Sequence, residues 1–449
     1  QGMAFRTCLW IGVFCTASLA IPSTTSRFSE DVPTVVKDSN YSAVLSMAHT
    51  LLNNSFNAGG SYADVWVRDL NTFIEVALDV SNASACADIL MGFVERQHAN
   101  GEVADGFMLN SPIDPPGMPF PPCAGGKTAC KNTVETDQET SLVQAVAKYV
   151  RHTGDVAFLS RTTSSNRTVL EALAMAMNFL LTERWDNATG LIWGGTTFDW
   201  GDVQPESDVK DCRMLDPHSH KSVDVYDNAM FAISLRDLIQ LESLASETGL
   251  AGTMSPVGYD DWATLLAAIK ERVRSVFWQD SADKFLPHVY VTTSPWPDTV
   301  NETDICYHGG TATAMLADIL STTEAQRAVK RLLQNVNAVA AKGGSVTLGL
   351  TVYPPYPPAS NLTVMKEYTY QNGGDWAWFG GRLVQGLLHK GLTAEATAAL
   401  APMLSRVVAH GGFWEWWGFD GSPQGSDKFH GSAGVLGRAI QLLQTHHKQ

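Results

Sequence analysis

The stretch GGFWEWWGFDG, residues 411–421, sets one carboxylate, Glu415, among Phe413, Trp414, Trp416 and Trp417. Aromatic faces stack on a ligand and exclude water, and a half-desolvated carboxylate between them suits acid–base work. The same cluster, taken alone, equally fits an aromatic corner that packs a loop onto a helix. A second stretch, WGGTTFDWGD at 193–202, places Asp199 and Asp202 three apart beside Trp193 and Trp200. Two opposed carboxylates are what glycoside cleavage needs. One protonates the leaving oxygen, and the other activates water or attacks carbon. The sequence favours Asp199 as general acid and Glu415 as general base, with Asp202 as the rival acid. Apolar neighbours raise an acid's pKa and keep it protonated. Either aspartate alone also fits a helix cap or a turn.

Other clusters repeat the mix of aromatic, acidic and amide side chains. Tyr62, Trp66, Arg68 and Asp69 stand together, and an Arg–Asp fork beside a Trp can hold vicinal sugar hydroxyls, or be a salt bridge at a helix start. Glu135, Asp137, Gln138 and Glu139 open a helical pattern, where acidic residues often answer the dipole. Gln138 is the sugar-ligand candidate of that group. Tyr226, Asn228, His308, Tyr370, Asn372, Trp376 and Trp378 complete the set, with Trp200, Asp202, Trp416 and Trp417 beside the acids and Gln424, Lys428 and His430 beyond them as candidates for the aglycone. A lone His such as His308 is more often a satisfied polar residue than a catalyst, and Lys428 equally fits a solvated loop charge. There is no Walker loop, HExxH, GxSxG elbow, EF-hand or Cys/His zinc spacing, so no metal or organic cofactor is expected.

What must position these residues is helical. Apolar periodicity of 3.6 predicts helices near 41–54, 69–80, 84–98, 138–153, 167–183, 224–246, 259–277, 310–320, 323–335, 373–390, 393–409 and 431–446. Strand patterns are few, the clearest at 285–293 and 345–353. Joints inside pairs are short, while those leading into every second helix are mostly longer and carry nearly all the aromatic and acidic clusters. Six hairpins with chemistry at alternate joints predict an all-α fold, an (α/α)6 barrel with small β-hairpin insertions, whose inner helices start around one pocket. With no linker or composition break, 41–449 reads as a single catalytic domain.

The chain has 449 residues, 45% hydrophobic and 17% charged, enough to bury a large core. Its net charge of -15 argues against nucleic acid and anionic membrane surfaces. The apolar leader within 3–20 has the pattern of a signal peptide and is too short to span a bilayer, although a buried N-terminal segment would look similar. Sequons at Asn40, Asn53, Asn82, Asn166, Asn187, Asn301 and Asn361 agree with a secreted, endomembrane or vacuolar glycoprotein with no membrane attachment once the leader is removed. Cys123 and Cys130 flank a Gly-containing loop and could pair in an oxidising compartment.

Several of these segments resemble those of known glycosidases. WVRD at 66–69 resembles an element of (α/α)6 glucosidases such as glucoamylases, whose Arg and Asp bind hydroxyls of the terminal sugar. The Asp199 and Glu415 segments resemble the acid and base elements of glycoside hydrolase family 63 and its trehalase relatives, and YQNGGDWAWFGG resembles a segment leading into an inner helix there. The chain is similar to the short members, mannosylglycerate and glucosylglycerate hydrolases. The resemblance implies an inverting hydrolase of a small α-glucoside or α-mannoside, with glucosylglycerate or mannosylglycerate the favoured substrate. The acid loop departs from the Gly-x-Asp-x-Ser of many relatives, which keeps Asp202 in contention. Another enzyme on the same toroid (an α-glucosidase, a rhamnosidase-like hydrolase or a polysaccharide lyase) and a non-catalytic sugar-binding protein are the alternatives.

Overall fold

Every second helix of the chain begins at the same end of the molecule. In the computed structural model these are α2 (Val67–Leu78), α4 (Gln138–Thr153), α6 (Val225–Glu247), α8 (His308–Leu316), α10 (Ala377–His389) and α12 (His430–His446). Each packs on the next, and α12 packs back on α2, closing a ring. The alternate helices α1 (Asp38–Leu52), α3 (Ala83–Arg96), α5 (Val169–Glu183), α7 (Trp262–Phe277), α9 (Thr322–Ala341) and α11 (Thr393–His410) lie outside it. This is the (α/α)6 barrel that the spacing predicts. The structure describes residues 38–446 except 116, 124–127, 207, 251–253 and 358–365. Val35–Gln449 forms one compact unit, and the leader and Asn361 lie outside the described residues.

Burial separates the two rings. The inner helix α8 is buried on all sides from His308 to Met315. The outer α9 buries one stripe that includes Ala325, Ala328, Leu332 and Val339. A helix apolar around its circumference must sit inside, and one with a single stripe covers it. Close approach in the inner ring needs small residues. A Cβ on Gly434 of α12 would lie 2.3 Å from the Phe73 Cα of α2. Polar side chains also cross the ring: Asn71 donates to Gln144, and Gln144 donates to Ser234.

The strands are short and sit in the long joints. A four-stranded antiparallel sheet orders Trp185–Asp186, Leu191–Gly195, Lys221–Asp224 and His288–Tyr290. Its two middle strands bracket the loop that carries Asp199 and Asp202. The expected strand at 285–293 is split into Lys284–Phe285 and His288–Tyr290 by Pro287, which cannot donate to a ladder. The expected strand at 345–353 keeps only Val352–Tyr353. The rest wraps around the Asp375 carboxylate, which accepts from the Thr347 amide at 2.6 Å and its hydroxyl at 2.8 Å. No described helix is long and apolar enough to cross a membrane.

Candidate active site

The chain enters α2 from the strand Asp64–Trp66, which pairs antiparallel with Gly106–Met108. That pairing carries Asp105 to the start of α2, where its carbonyl accepts from the Val67 amide at 2.9 Å. Arg68 then lies between carboxylates, in an ion pair with Glu135 and 4.0 Å from Asp105. Burial opposes its charge, but Asp105, Asp137, Asp69 and Asp202 more than offset this and raise its pKa. The guanidinium also sits 5.0 Å over the ring of Trp200, on which Trp378 stacks at 5.5 Å.

Glu415 is positioned by a hairpin of Trp414–Trp417 with Pro423–Asp427. The register slips by one residue between Trp414 and Trp416, leaving an extra residue on the second strand. Gly425, at φ +69°, supplies it, and a Cβ there would lie 2.4 Å from Glu415 Oε2. The slip aims the Ser426 amide at that oxygen, 2.8 Å away, while the Tyr62 hydroxyl donates to Oε1 at 3.1 Å. Burial pushes the Glu415 carboxyl up to about 7, against the pull of these two donors.

Asp202 lines the same cavity as Glu415. Tyr370 donates to its Oδ2 at 2.7 Å and the Gln371 amide to its Oδ1. Burial raises its pKa, opposed by Arg68 and these two donors. The cavity has a volume of about 180 Å³, the scale of one sugar ring rather than a chain. Besides Asp202 and Glu415 it is lined by Tyr62, Trp66, Arg68, Asp69, Trp200, Tyr370, Trp376 and Trp378 of the sequence-derived set. Burial raises Asp69 to about 7 and Asp105 to about 6, with Arg68 opposing both. The indole N–H groups of Trp66, Trp200 and Trp378 have no protein acceptor among the described residues.

Asp199 is not brought to this cavity. It is fully buried behind the wall at the start of α8, where a Cβ on Gly309 would lie 2.4 Å from its carboxylate. Burial, then the Asp224 charge, holds its pKa well above the usual carboxylate range, and the nearby Gly309 and Gly310 amides pull the other way. Other sequence-derived candidates also have partners elsewhere. Gln138 donates to Glu135 and to the Asn132 carbonyl. Tyr226 donates to Asp137 at 2.7 Å, and Asn228 holds both backbone groups of Ile192. His308 faces Asn335, and burial lowers its pKa to about 3. Asn372 clamps the Tyr356 backbone. Trp416 packs against Tyr370 beside the wall, and Trp417 turns away toward Arg406 and His410. Gln424 bonds Ser422, Lys428 is exposed, and His430 faces the Asn57 carbonyl with its pKa lowered by burial to about 4. The lining residues that spacing missed are Ala58, Asp105, Cys123, Asn132, Arg213 and Phe429. Cys123 arrives through a disulfide to Cys130, whose carbonyl accepts from the Asp105 amide. The possible pairing of Cys123 with Cys130 was legible in the sequence, but not its place beside the cavity. No cluster of His, Cys, Asp and Glu suited to a metal ion occurs among the described residues.

Comparison with known proteins agrees with the barrel fold. No curated protein matches the chain. Among solved structures, a family 63 mannosylglycerate hydrolase from Thermus thermophilus in complex with glucose superposes with a TM-score of 0.59 at 16% identity, covering 90% of this chain and 99% of that one. A rhamnosidase from Klebsiella oxytoca with rhamnose bound gives 0.57 at 14% identity, covering 91% of this chain but only 64% of that one. A family 78 rhamnosidase of Bacillus sp. GL1 gives 0.53 at 13%, covering 89% and 34%. At these identities the likeness is one of fold, that of (α/α)6 glycosidases. Residues 121–414, well over half of the chain, match the family model described as amylo-alpha-1,6-glucosidase. The chain belongs to the amylo-alpha-1,6-glucosidase family, which supports a glycoside hydrolase.

Proposed function

We propose that the chain is an inverting glycosidase acting on a small, uncharged α-glucoside or α-mannoside, with α-1,6-linked glucose, the bond named in its family, as the first choice. The observation that carries this reading is the pair Asp202 and Glu415 lining one cavity, each held by a tyrosine hydroxyl among tryptophans. Asp202 is the general acid. Burial favours its protonated form, and Tyr370 and Gln371 steady the carboxylate left after it gives its proton to the leaving oxygen. Glu415 is the general base. It takes a proton from water as the water oxygen bonds to the anomeric carbon and the bond to the leaving oxygen breaks. Arg68 and Asp69 hold hydroxyls of the terminal sugar, as the likeness to glucoamylases suggests, and Trp200 and Trp378 supply flat faces.

Charge argues for a neutral leaving group over glycerate. Asp69, Asp105, Glu135, Asp202 and Glu415 face the cavity, against Arg68 and Arg213. Arg68 is held by Glu135, and Arg213 pairs with Asp211 through two bonds of 3.0 and 3.1 Å. An anionic aglycone finds no uncommitted cation there among the described residues, Lys428 being exposed and His430 largely neutral. Proton NMR of the enzyme with isomaltose, maltose, an α-mannoside, an α-rhamnoside and glucosylglycerate tests the reading. β-Glucose released first from a neutral α-glucoside supports it. α-Glucose first would remove inversion, and turnover of glucosylglycerate alone would remove the preference for neutral leaving groups.

A further inference from the structure

The barrel has a second cavity, at the end where the inner helices finish. Its volume is about 270 Å³, and Lys148, Arg151, Arg236, Arg382 and Arg438 line it against only two carboxylates, Glu75 and Asp237. Each carboxylate is shared by two cations. Glu75 lies 3.9 Å from Lys148 and 3.3 Å from Arg438. Asp237 lies 2.8 Å from Arg151 and 3.8 Å from Arg236. Arg382 is left over. It is 6% exposed, points into the cavity from the middle of α10, and pairs with no carboxylate among the described residues. Its contacts are the Thr72 hydroxyl at 3.3 Å, the Met230 sulfur at 3.9 Å and the face of Trp378 at 5.2 Å.

A buried guanidinium without an anion is costly. The negative ends of the inner helices attract cations, but that effect is confined to the last turn. It accounts for Arg151 near the end of α4 and not for Arg382 in mid-helix. The local surplus is the more telling in a chain whose net charge is -15. Planar guanidinium forks match the oxygens of a tetrahedral oxyanion.

From this cavity we infer a binding site for a phosphate dianion or the phosphoryl group of a small metabolite, separate from the sugar cavity. Arg382 is its floor, and Arg236, Arg438 and Lys148 close round the remaining oxygens. The site lies one side chain from the sugar cavity, because Trp378 lines that cavity and stacks on Arg382.

The test is isothermal titration calorimetry of the full chain with inorganic phosphate at low ionic strength. Saturable one-site binding is expected, weakened by sodium chloride because the charges are only partly buried. Arg382→Gln and, separately, the half-exposed Arg236→Gln each lose one charge-assisted contact and should bind about tenfold more weakly or worse. Saturating isomaltose should leave phosphate binding in place. If Arg382→Gln does not fold, Arg236→Gln alone decides. Absence of saturable binding to the wild type, equal affinity in the variants that fold, or full competition by the sugar would each overturn the site.

Discussion

The inner and outer helices of this barrel begin in different ways. Outside, Asn82 caps α3, Asp261 caps α7, and Thr168 and Ser321 close capping boxes on α5 and α9. Inside, Trp66, Asp137, Tyr307 and Trp376 stand at the starts of α2, α4, α8 and α10, and none of them makes a side-chain cap. Asp224, before α6, does so. A cap adds stability by satisfying an orphan amide. Trp66 and Trp376 at the same position forgo that and furnish walls of the sugar cavity. Four outer starts are thus stabilised by caps, although Leu392 before α11 makes none, while the starts of α2 and α10 forgo a cap and line the site.

Substitutions at the inner end should strike turnover first. Glu415→Gln and Asp202→Asn are expected to lower kcat by about 10³-fold or more with the fold intact, read from steady-state rates and circular dichroism. Asp199→Asn should stay within about tenfold of wild type, since its carboxyl never meets substrate. Next in size is Gly425→Ala. The new methyl would displace the Glu415 carboxylate, and a shift of that kind costs about 10² in kcat, with little change in KM.

The effect of pH is smaller and has a definite sign. With Glu415 near 7, the base form grows as pH rises, so kcat/KM should climb through about pH 7. Tyr62→Phe removes a donor that favours the carboxylate and should move this limb up by about half a pH unit to one unit. The folded pKa lies above the ordinary 4.5, so ionised Glu415 costs stability, and the cost grows from pH 5 to 8. Glu415→Gln should accordingly gain more in Tm at pH 8 than at pH 5. The smallest effect belongs to the outer ring. Thr168→Ala and Ser321→Ala should each cost about 1 kcal/mol in urea unfolding and leave kcat unchanged.

The two rings also differ in how much of them the sequence revealed. Helix positions were legible throughout, because a buried face repeats every 3.6 residues in either ring; α4 runs Gln138–Thr153, as expected. The largest displacement is at the end of α9, expected at 335 and found at Ala341; among helix starts it is at α10, expected from 373 and found from Ala377, because Gly373 and Gly374 turn the chain under Tyr370 first. Glu415 and the Tyr62–Asp69 cluster were legible because their neighbours are aromatic. Which of Asp199 and Asp202 faces the cavity was not, since three residues of loop have no fixed direction until Tyr370, Gln371 and Gly309 close on them. Asp105 reaches Arg68 by strand pairing across about forty residues, a contact that no local pattern encodes. Lys428 and His430, candidates for the aglycone in the sequence, follow the hairpin that aims Glu415, where Lys428 is exposed and His430 faces the Asn57 carbonyl.

The most direct test of the carboxylate pair uses α-glucosyl fluoride, whose leaving group needs no proton. Asp202→Asn should recover much of the wild-type rate on the fluoride while staying slow on isomaltose, and Glu415→Gln should stay slow on both. Recovery shown by Asp199→Asn instead, or by neither aspartate variant, would contradict the assignment of Asp202 as the acid facing Glu415.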